Sequence, residues 1–444
     1  MALMVGVSGI RGIIGETLTP RVATEFAHAY GTYLDGGPVV LGRDTRPSGE
    51  MFATAAAAGL LAAGCKVTNL GVVMTPTIGR AITDGDYRGG MMITASHNPP
   101  QWNGLKFLTD RGVAPSPEQA DAIIAIQRES RQKFAKTGFV PITQDFEAGE
   151  RHVAAVLGVV ETPLDSLRGT RIVLDSINGA GCLDSPALLT EMDCELIHLN
   201  GEPTGVFAHT PEPIAENLTQ LCEAVKEAKA AIGFAQDPDA DRLAIVDESG
   251  CYIGEEYTLA LATQFVLSRR PGPVAANLST SRLIDAIAQR VGVPVVRTPV
   301  GEANVAHGIL NNKCVVGGEG NGGVIDPRIT LVRDSLSAMS LVLQLMASTG
   351  KTISQLVADL PRLVMIKQKF ECPREKILVA TQAVADAFKN EKINRTDGTR
   401  VDFTEGWVHV RASNTEPIVR FIAEAETEAA AATLIQKVRA AAKL

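Results

Sequence analysis

Short apolar runs of strand length alternate with helical stretches along most of this chain, and no other feature restricts its fold so much. Residues 39–42, 66–73 and 90–95 read as strands. Between the first two lies an Ala-rich helix capped by Ser48 and stopped at Gly64, and a short helix near 77–83 precedes the third. The pattern restarts after a charged stretch at 145–152, with strand 171–175, helix 185–192, strand 195–200, helix 215–229 and strands 231–236 and 243–248. A third cycle runs through helix 256–268, strand 274–278, helix 282–291, strand 295–298, a helix after Gly301 and strand 314–318, and helices return at 335–347 and 354–360. Apolar strands separated by helices predict parallel-rich mixed sheets covered on both faces. The last stretch differs: helix 374–388, strands 400–403, 407–411 and 418–424, and helix 428–442 form an α+β pattern with antiparallel strands. The expected fold class is α/β, three similar modules plus a smaller C-terminal α+β domain, divided at 1–152, 153–254, 255–368 and 369–444.

A length of 444 residues suits about two to four domains. With 45% apolar and 21% charged residues, the chain is neither disordered nor collagen-like. Its 42 Lys plus Arg against 50 Asp plus Glu leave a net charge of −8, which argues against a nucleic-acid partner. An anionic small molecule is still compatible, because a few local arginines outweigh a distant negative surface. The seven cysteines are scattered without a C-x-x-C and read as buried free thiols of a reducing compartment. No run of 18 apolar residues and no basic segment leading into an apolar stretch is present, so neither a membrane span nor a signal peptide is expected, and the expected location is cytoplasmic.

Four segments at strand ends carry chemistry. In Thr94-Ala95-Ser96-His97-Asn98-Pro99-Pro100, a serine beside His97 and upstream of Lys106 has the exposure, proton acceptor and positive charge that a hydroxyl nucleophile or phosphate carrier needs. Taken alone these are also ordinary turn residues, and no Gly-x-Ser-x-Gly elbow supports a hydrolase. In 236–242, Asp237, Asp239 and Asp241 fall at i, i+2 and i+4; they converge only if the loop curls round a cation, and hard oxygen ligands suit Mg²⁺ or Ca²⁺. An EF-hand register with Glu248 at position 12 fails because position 6 is Arg242, not glycine. Residues 317–323 gather five glycines around Glu319 and Asn321, whose alternation lets both point one way toward sugar hydroxyls; a plain glycine turn is the alternative. Arg411-Ala412-Ser413-Asn414-Thr415-Glu416-Pro417, with Arg420 on the next strand, offers an anion cradle or a hydrogen-bonded turn. Two N-terminal pieces join these: Arg11 between glycines in 8–12, and Gly42-Arg43-Asp44-Thr45-Arg46, where Arg43 and Asp44 suggest an internal ion pair.

Together and in this order, segments 8–12, 42–46, 94–99, 237–242, 318–322 and 411–417 resemble the α-D-phosphohexomutase superfamily across essentially the whole chain, the serine and aspartate loops most specifically. The resemblance implies a four-domain, heart-shaped protein in which each domain gives one loop to a central cleft. It implies that Ser96 carries the phosphoryl group and that Asp237, Asp239 and Asp241 hold Mg²⁺ together with phosphorylated Ser96. Arg11, His97, Lys106 and Arg242 would surround the transferring group, with His97 and Lys106 as candidates for proton transfer. Glu319 and Asn321 would read the sugar, and Arg411, Ser413, Asn414, Thr415 and Arg420 would clamp the distal phosphate. The implied partner is a small-molecule sugar phosphate, with a hexose 1,6-bisphosphate as activator; no nucleic acid or membrane partner is implied, and the oligomeric state stays open. Because the clamp must accept either phosphate in turn, the connection 361–370 is expected to be a hinge for the fourth domain.

Gly320-Asn321-Gly322-Gly323 stands where many members carry Met-Ser-Gly-His, and Pro299 and Glu302 stand where many carry lysine and histidine. The glycine loop, with the 8–12 and 298–302 runs, looks most like archaeal-type phosphoglucosamine mutases, whereas the 411–417 loop looks more like phosphomannomutases. Glucosamine phosphate is the favoured substrate. Mannose or glucose phosphate, or a catalytically silent sugar-phosphate binding protein, are the alternatives.

Overall fold

A computed structural model of the chain describes residues 3–7, 9–412 and 418–443, with the backbone alone at 374. Four sheets follow one another. The first has the strand order Met4–Gly6, Gly9–Ile13, Trp102–Thr109, Gly89–Ile93, Gly37–Arg43, Cys65–Val72, Thr143–Gln144. Its last four strands are parallel and its first three run antiparallel to their neighbours. The second sheet (Leu243–Val246, Ile232–Gln236, Arg171–Asp175, Glu195–Leu199) and the third (Val295–Thr298, Val274–Asn277, Val316–Glu319, Gly323–Ile325) each have a parallel centre and one antiparallel edge strand. The fourth sheet (Val364–Glu371, Ile418–Ala425, Gly406–Ala412, Thr399–Asp402, Lys392–Asn394) is antiparallel throughout. This is the α/β architecture with a smaller C-terminal α+β unit that the strand–helix alternation predicts.

Three antiparallel return strands shape the site, and of these the pattern revealed only 243–248. The chain leaves a strand at Ile93, Gln236 and Glu319, turns, and returns beside it at Trp102, Leu243 and Gly323. The serine, aspartate and glycine segments are those three turns. Trp102–Thr109 is buried on both faces apart from Lys106, so it lacks the polar–apolar alternation of a half-buried strand. Gly323–Ile325 is only three residues long.

The second and third sheets share one core. Ile172, Leu174 and Phe234 belong to the same cluster as Val274, Val316 and Leu341. The helices Glu255–Arg269 and Ser335–Thr349 lie within it, and the latter buries every residue from Ser335 to Leu345, as a helix between two layers must. The fourth sheet has a core of its own, with Val401, Val408 and Phe421 against Leu434 and Val438 of helix Glu428–Ala442.

Three local expectations change. The 361–370 connection, expected as a hinge, is strand from Val364 onward: Val364–Glu371 pairs with Ile418–Ala425 along its whole length. An edge strand with little burial on either face reads as linker because neither face has to be apolar. Ser48 does not cap with its side chain; its Oγ accepts from Asn103 Nδ2 at 2.8 Å, and helix Gly49–Ala62 starts without a side-chain cap. Cys65, Cys182, Cys314 and Cys372 are buried thiols, but Cys251 is exposed.

Candidate active site

Ser96 stands at φ +50°, a left-handed conformation that costs an L residue on the order of 1–2 kcal/mol and persists only where its surroundings impose it. Here they do. Thr94 Oγ1 accepts the Ser96 N–H at 2.9 Å and donates to Asp44 Oδ2 at 2.6 Å. Buried Arg46 pairs with Asp44 through Nε at 3.1 Å. Its Nη2 donates to the carbonyls of Ser96 and Asn98, both at 2.6 Å, and its Nη1 to those of Pro99 and Trp102 at 2.9 and 3.0 Å. One rigid guanidinium answering four loop carbonyls fixes the curve of the loop. The internal ion pair of segment 42–46 is therefore Asp44–Arg46, while Arg43 turns outward to Glu50 at 3.0 Å. Arg43 ends the strand Gly37–Arg43 and Arg46 follows three residues later, and burial tells them apart.

Ser96 Oγ donates to Asp237 Oδ2 at 2.8 Å, joining the first domain's turn to the second's. Asp237 Oδ1 accepts the N–H groups of Asp241 and Arg242 at 3.1 Å each, which curls the aspartate loop. The three aspartates are fully buried and offer oxygens within 4.8 Å of one another. Asp239 commits Oδ2 to Thr75 Oγ1 and Lys106 Nζ, both at 2.5 Å. Asp241 commits Oδ2 to Lys106 Nζ at 3.0 Å and Arg333 Nη2 at 2.7 Å. The Oδ1 atoms of Asp239 and Asp241 are buried without a hydrogen-bond partner among the described residues. Buried acceptors are rarely left so. Two such oxygens beside a third carboxylate and a hydroxyl form a hard-oxygen donor set that fits a divalent cation of the Mg²⁺ type. Burial, reinforced by Asp241 and Asp239, pushes Asp237 well above the usual carboxylate range.

The cations come from neighbouring strands. Arg11 lies opposite Gly104, two residues before Lys106, and its Nη1 donates to Asn98 Oδ1 at 3.0 Å. Burial works against the Lys106 ammonium, but Asp239 and Asp241 outweigh it and raise its pKa. His97 Nδ1 lies 3.4 Å from Ser96 Oγ. Burial, then Arg242 and Arg11, pushes the imidazole down to about 2, so His97 is a neutral ring. Arg242 Nε is buried without a hydrogen-bond partner among the described residues, 3.8 Å from Asp241 Oδ1.

Glu319 and Asn321 behave differently from each other. Glu319 Oε1 accepts from Asn277 Nδ2 at 2.8 Å and from the Gly301 N–H at 3.0 Å, and its Oε2 accepts from Arg333 Nη1 at 2.9 Å. Asn321 Oδ1 is buried without a hydrogen-bond partner among the described residues. In the fourth sheet Arg411 is directly opposite Arg420, and Arg420 directly opposite Lys369. Residues so paired share a face, so this row gathers three cationic side chains on one side of the sheet. Asp397 Oδ2 accepts from Arg411 Nε at 2.9 Å and from the Val300 N–H at 3.0 Å, tying this row to the turn before Glu302. Ser413, Asn414 and Thr415 lie outside the described residues, as does Ser8. Sequence reasoning missed Arg46, Thr75, Arg333 and Lys369. Only Arg46 carried a local signal, its place two residues after Asp44 at a strand end.

Four family profiles cover the chain. "Phosphoglucomutase/phosphomannomutase, alpha/beta/alpha domain I" matches residues 2–134, the corresponding domain II 150–250, domain III 254–364, and the C-terminal domain 365–441. A probable phosphoglucosamine mutase of Methanopyrus kandleri is 39% identical over 427 residues, 95% of this chain and 94% of its own. A phosphoglucomutase/phosphomannomutase of Thermococcus kodakarensis is 38% identical over 436 residues, 96% of each chain. The crystal structure of a phosphoglucomutase/phosphomannomutase family protein from Burkholderia thailandensis superposes with a TM-score of 0.88 at 28% identity, covering 99% of this chain and 97% of that one.

Proposed function

The chain belongs to the phosphoglucomutase/phosphomannomutase family, and from that premise we propose that it interconverts hexose 6-phosphate and hexose 1-phosphate through a phosphorylated Ser96, with glucosamine phosphate as its preferred sugar. Its serine, aspartate, glycine and arginine loops are assigned to four successive units, 1–152, 153–254, 255–368 and 369–444, with the last boundary moved back to 363/364 because strand Val364–Glu371 belongs to the fourth sheet. The observation that carries the reading is Ser96: a hydroxyl in an imposed left-handed turn, 2.8 Å from Asp237, with Lys106 on Asp239 and Asp241 of the same aspartate loop and Arg242 and Arg11 acting on the adjacent His97.

Phosphoryl transfer is mostly positioning and charge neutralisation. A hydroxyl of the sugar phosphate attacks the phosphorus on Ser96; the new O–P bond forms as the Ser96 Oγ–P bond breaks. The resulting bisphosphate turns over, and its other phosphate returns to Ser96. Proton transfer with the sugar hydroxyl is assigned to His97 and Lys106, and the Lys106 ammonium also offsets charge on the transferring group. Mg²⁺ held by Asp237, Asp239 and Asp241 would neutralise phosphoryl oxygens. The Arg411–Arg420–Lys369 row would hold the phosphate that is not reacting. A hexose 1,6-bisphosphate would act as activator by restoring the phosphoryl group to Ser96 whenever the intermediate escapes.

Relatives named phosphoglucosamine mutase support the choice of sugar. So does Glu302, whose carboxylate contacts Arg333 and stays 19% exposed; an anionic edge suits an ammonium substituent. Phosphomannomutase/phosphoglucomutase activity is the second reading, favoured by the Thermococcus relative of that name. Among the described residues no helix is long and apolar enough to cross a membrane, and the free cysteines suit a reducing compartment, which supports a cytoplasmic location. Ser96→Ala should abolish turnover on glucosamine 6-phosphate while leaving the melting temperature close to wild type. Wild-type turnover in that variant would overturn the reading. A wild-type protein that carries no phosphoryl group by intact mass, and takes none from a bisphosphate, would favour a silent binding protein.

A further inference from the structure

We propose that Arg333 is a positioning residue that couples the cation site to the sugar loop. The proposal rests on the reading of Asp241 as a metal ligand and Glu319 as a sugar contact. Arg333 precedes the buried helix Ser335–Thr349, which Asp334 caps by accepting the N–H groups of Leu336 and Ser337 at 3.0 and 3.1 Å. Its backbone is thus anchored to the core shared by the second and third sheets. The side chain is 10% exposed and reaches carboxylates from three separate segments. Nη2 meets Asp241 Oδ2 at 2.7 Å, Nε meets Glu302 Oε2 at 2.8 Å, and Nη1 meets Glu319 Oε2 at 2.9 Å.

Three nitrogens of one rigid plane, each on a different carboxylate, is an arrangement only arginine can make. Gly323 leaves room for it: a Cβ there would lie 2.1 Å from Arg333 Cδ. One glycine of the 317–323 run therefore serves the protein's own side chain and not a ligand. By taking Asp241 Oδ2, Arg333 leaves Oδ1, which has no hydrogen-bond partner among the described residues, for a cation; by taking Glu319 Oε2, it holds the sugar loop as well. A shift of either carboxylate moves the guanidinium they share, and with it the other. Loss of an outer partner of this kind typically costs a metal site about tenfold to a hundredfold in affinity.

The test is calorimetric titration of Mg²⁺, and then of glucosamine 6-phosphate in excess Mg²⁺, into full-length wild type, Arg333→Gln and Arg333→Lys. The glutamine variant should lose about tenfold or more in both affinities. The lysine variant should fall between, because one ammonium cannot span all three carboxylates. Affinities within twofold of wild type in the glutamine variant, even with a lowered melting temperature, would show a merely structural role and overturn the proposal, and so would loss of one affinity alone. If the glutamine variant fails to fold, the lysine variant decides by the same criterion. Absence of Mg²⁺ binding by wild type would instead overturn the metal reading itself, and the coupling with it.

Discussion

Thr75 opens helix Thr75–Asp84 in the first domain and touches the aspartate loop of the second. Its Oγ1 donates to Asp239 Oδ2 at 2.5 Å, and its N–H donates to the Asp239 carbonyl at 3.0 Å. Thr75→Val keeps the shape and the backbone bond and removes the hydroxyl. Thr75 is 2% exposed and Asp239 0%, so solvent is poorly placed to supply a substitute donor. A hydrogen bond to a charged group is worth roughly 1.5–3 kcal/mol. Lys106 remains on the same oxygen at 2.5 Å, which places the loss at the low end, about 1.5 kcal/mol. The freed carboxylate can swing toward Lys106, turning Oδ1 away from the cation site. At about 1.4 kcal/mol per factor of ten, Mg²⁺ affinity should fall about tenfold. Calorimetric titration of Mg²⁺ measures this directly, with the Mg²⁺ dependence of turnover as a second readout. Thr75→Ser keeps the donor and should bind within about twofold of wild type. Wild-type affinity in the valine variant, or equal losses in both, would refute this role for Thr75.

Two other substitutions probe different forces. Glu302→Gln keeps an acceptor for Arg333 but removes the negative charge; the ratio of kcat/KM for glucosamine over glucose 6-phosphate should drop about fivefold, the size of a partly exposed ion pair of about 1 kcal/mol, and an unchanged ratio would remove Glu302 from sugar selection. Asp184 lies against Gly149, and burial raises its carboxyl from 3.8 to about 6, with His152 opposing. The folded state then holds this proton more tightly than the unfolded state, so stability falls as pH rises from about 4 to about 6 and stays lower above that. Asp184→Asn should therefore raise the melting temperature at pH 8, by the equivalent of roughly 2–3 kcal/mol at most, and change little at pH 4. An equal shift at both pH values would show that Asp184 is not strained by burial.

The features legible in the sequence are local ones. The alternation of apolar strands and helices is written residue by residue, so the α/β class and the antiparallel C-terminal unit could be read directly. Ser96 with His97, the three aspartates, and Glu319 with Asn321 each crowd into a few residues at a strand end, where composition alone suggests chemistry. What no local pattern holds is which atom meets which. Thr75 and Asp239 are 164 residues apart and Arg333 and Asp241 are 92 apart, so neither pairing leaves a periodicity or a motif. The choice of Arg46 over Arg43 as the buried partner of Asp44, and the return of Trp102–Thr109 beside Gly89–Ile93, depend on strand pairing and burial. Which oxygen of Asp239 or Asp241 is left for a cation depends on donors arriving from other sheets. Donor, acceptor and burial become properties of the site only when the shared core of the second and third sheets brings those turns together, and that is a matter of packing, which the order of residues along the chain does not spell out.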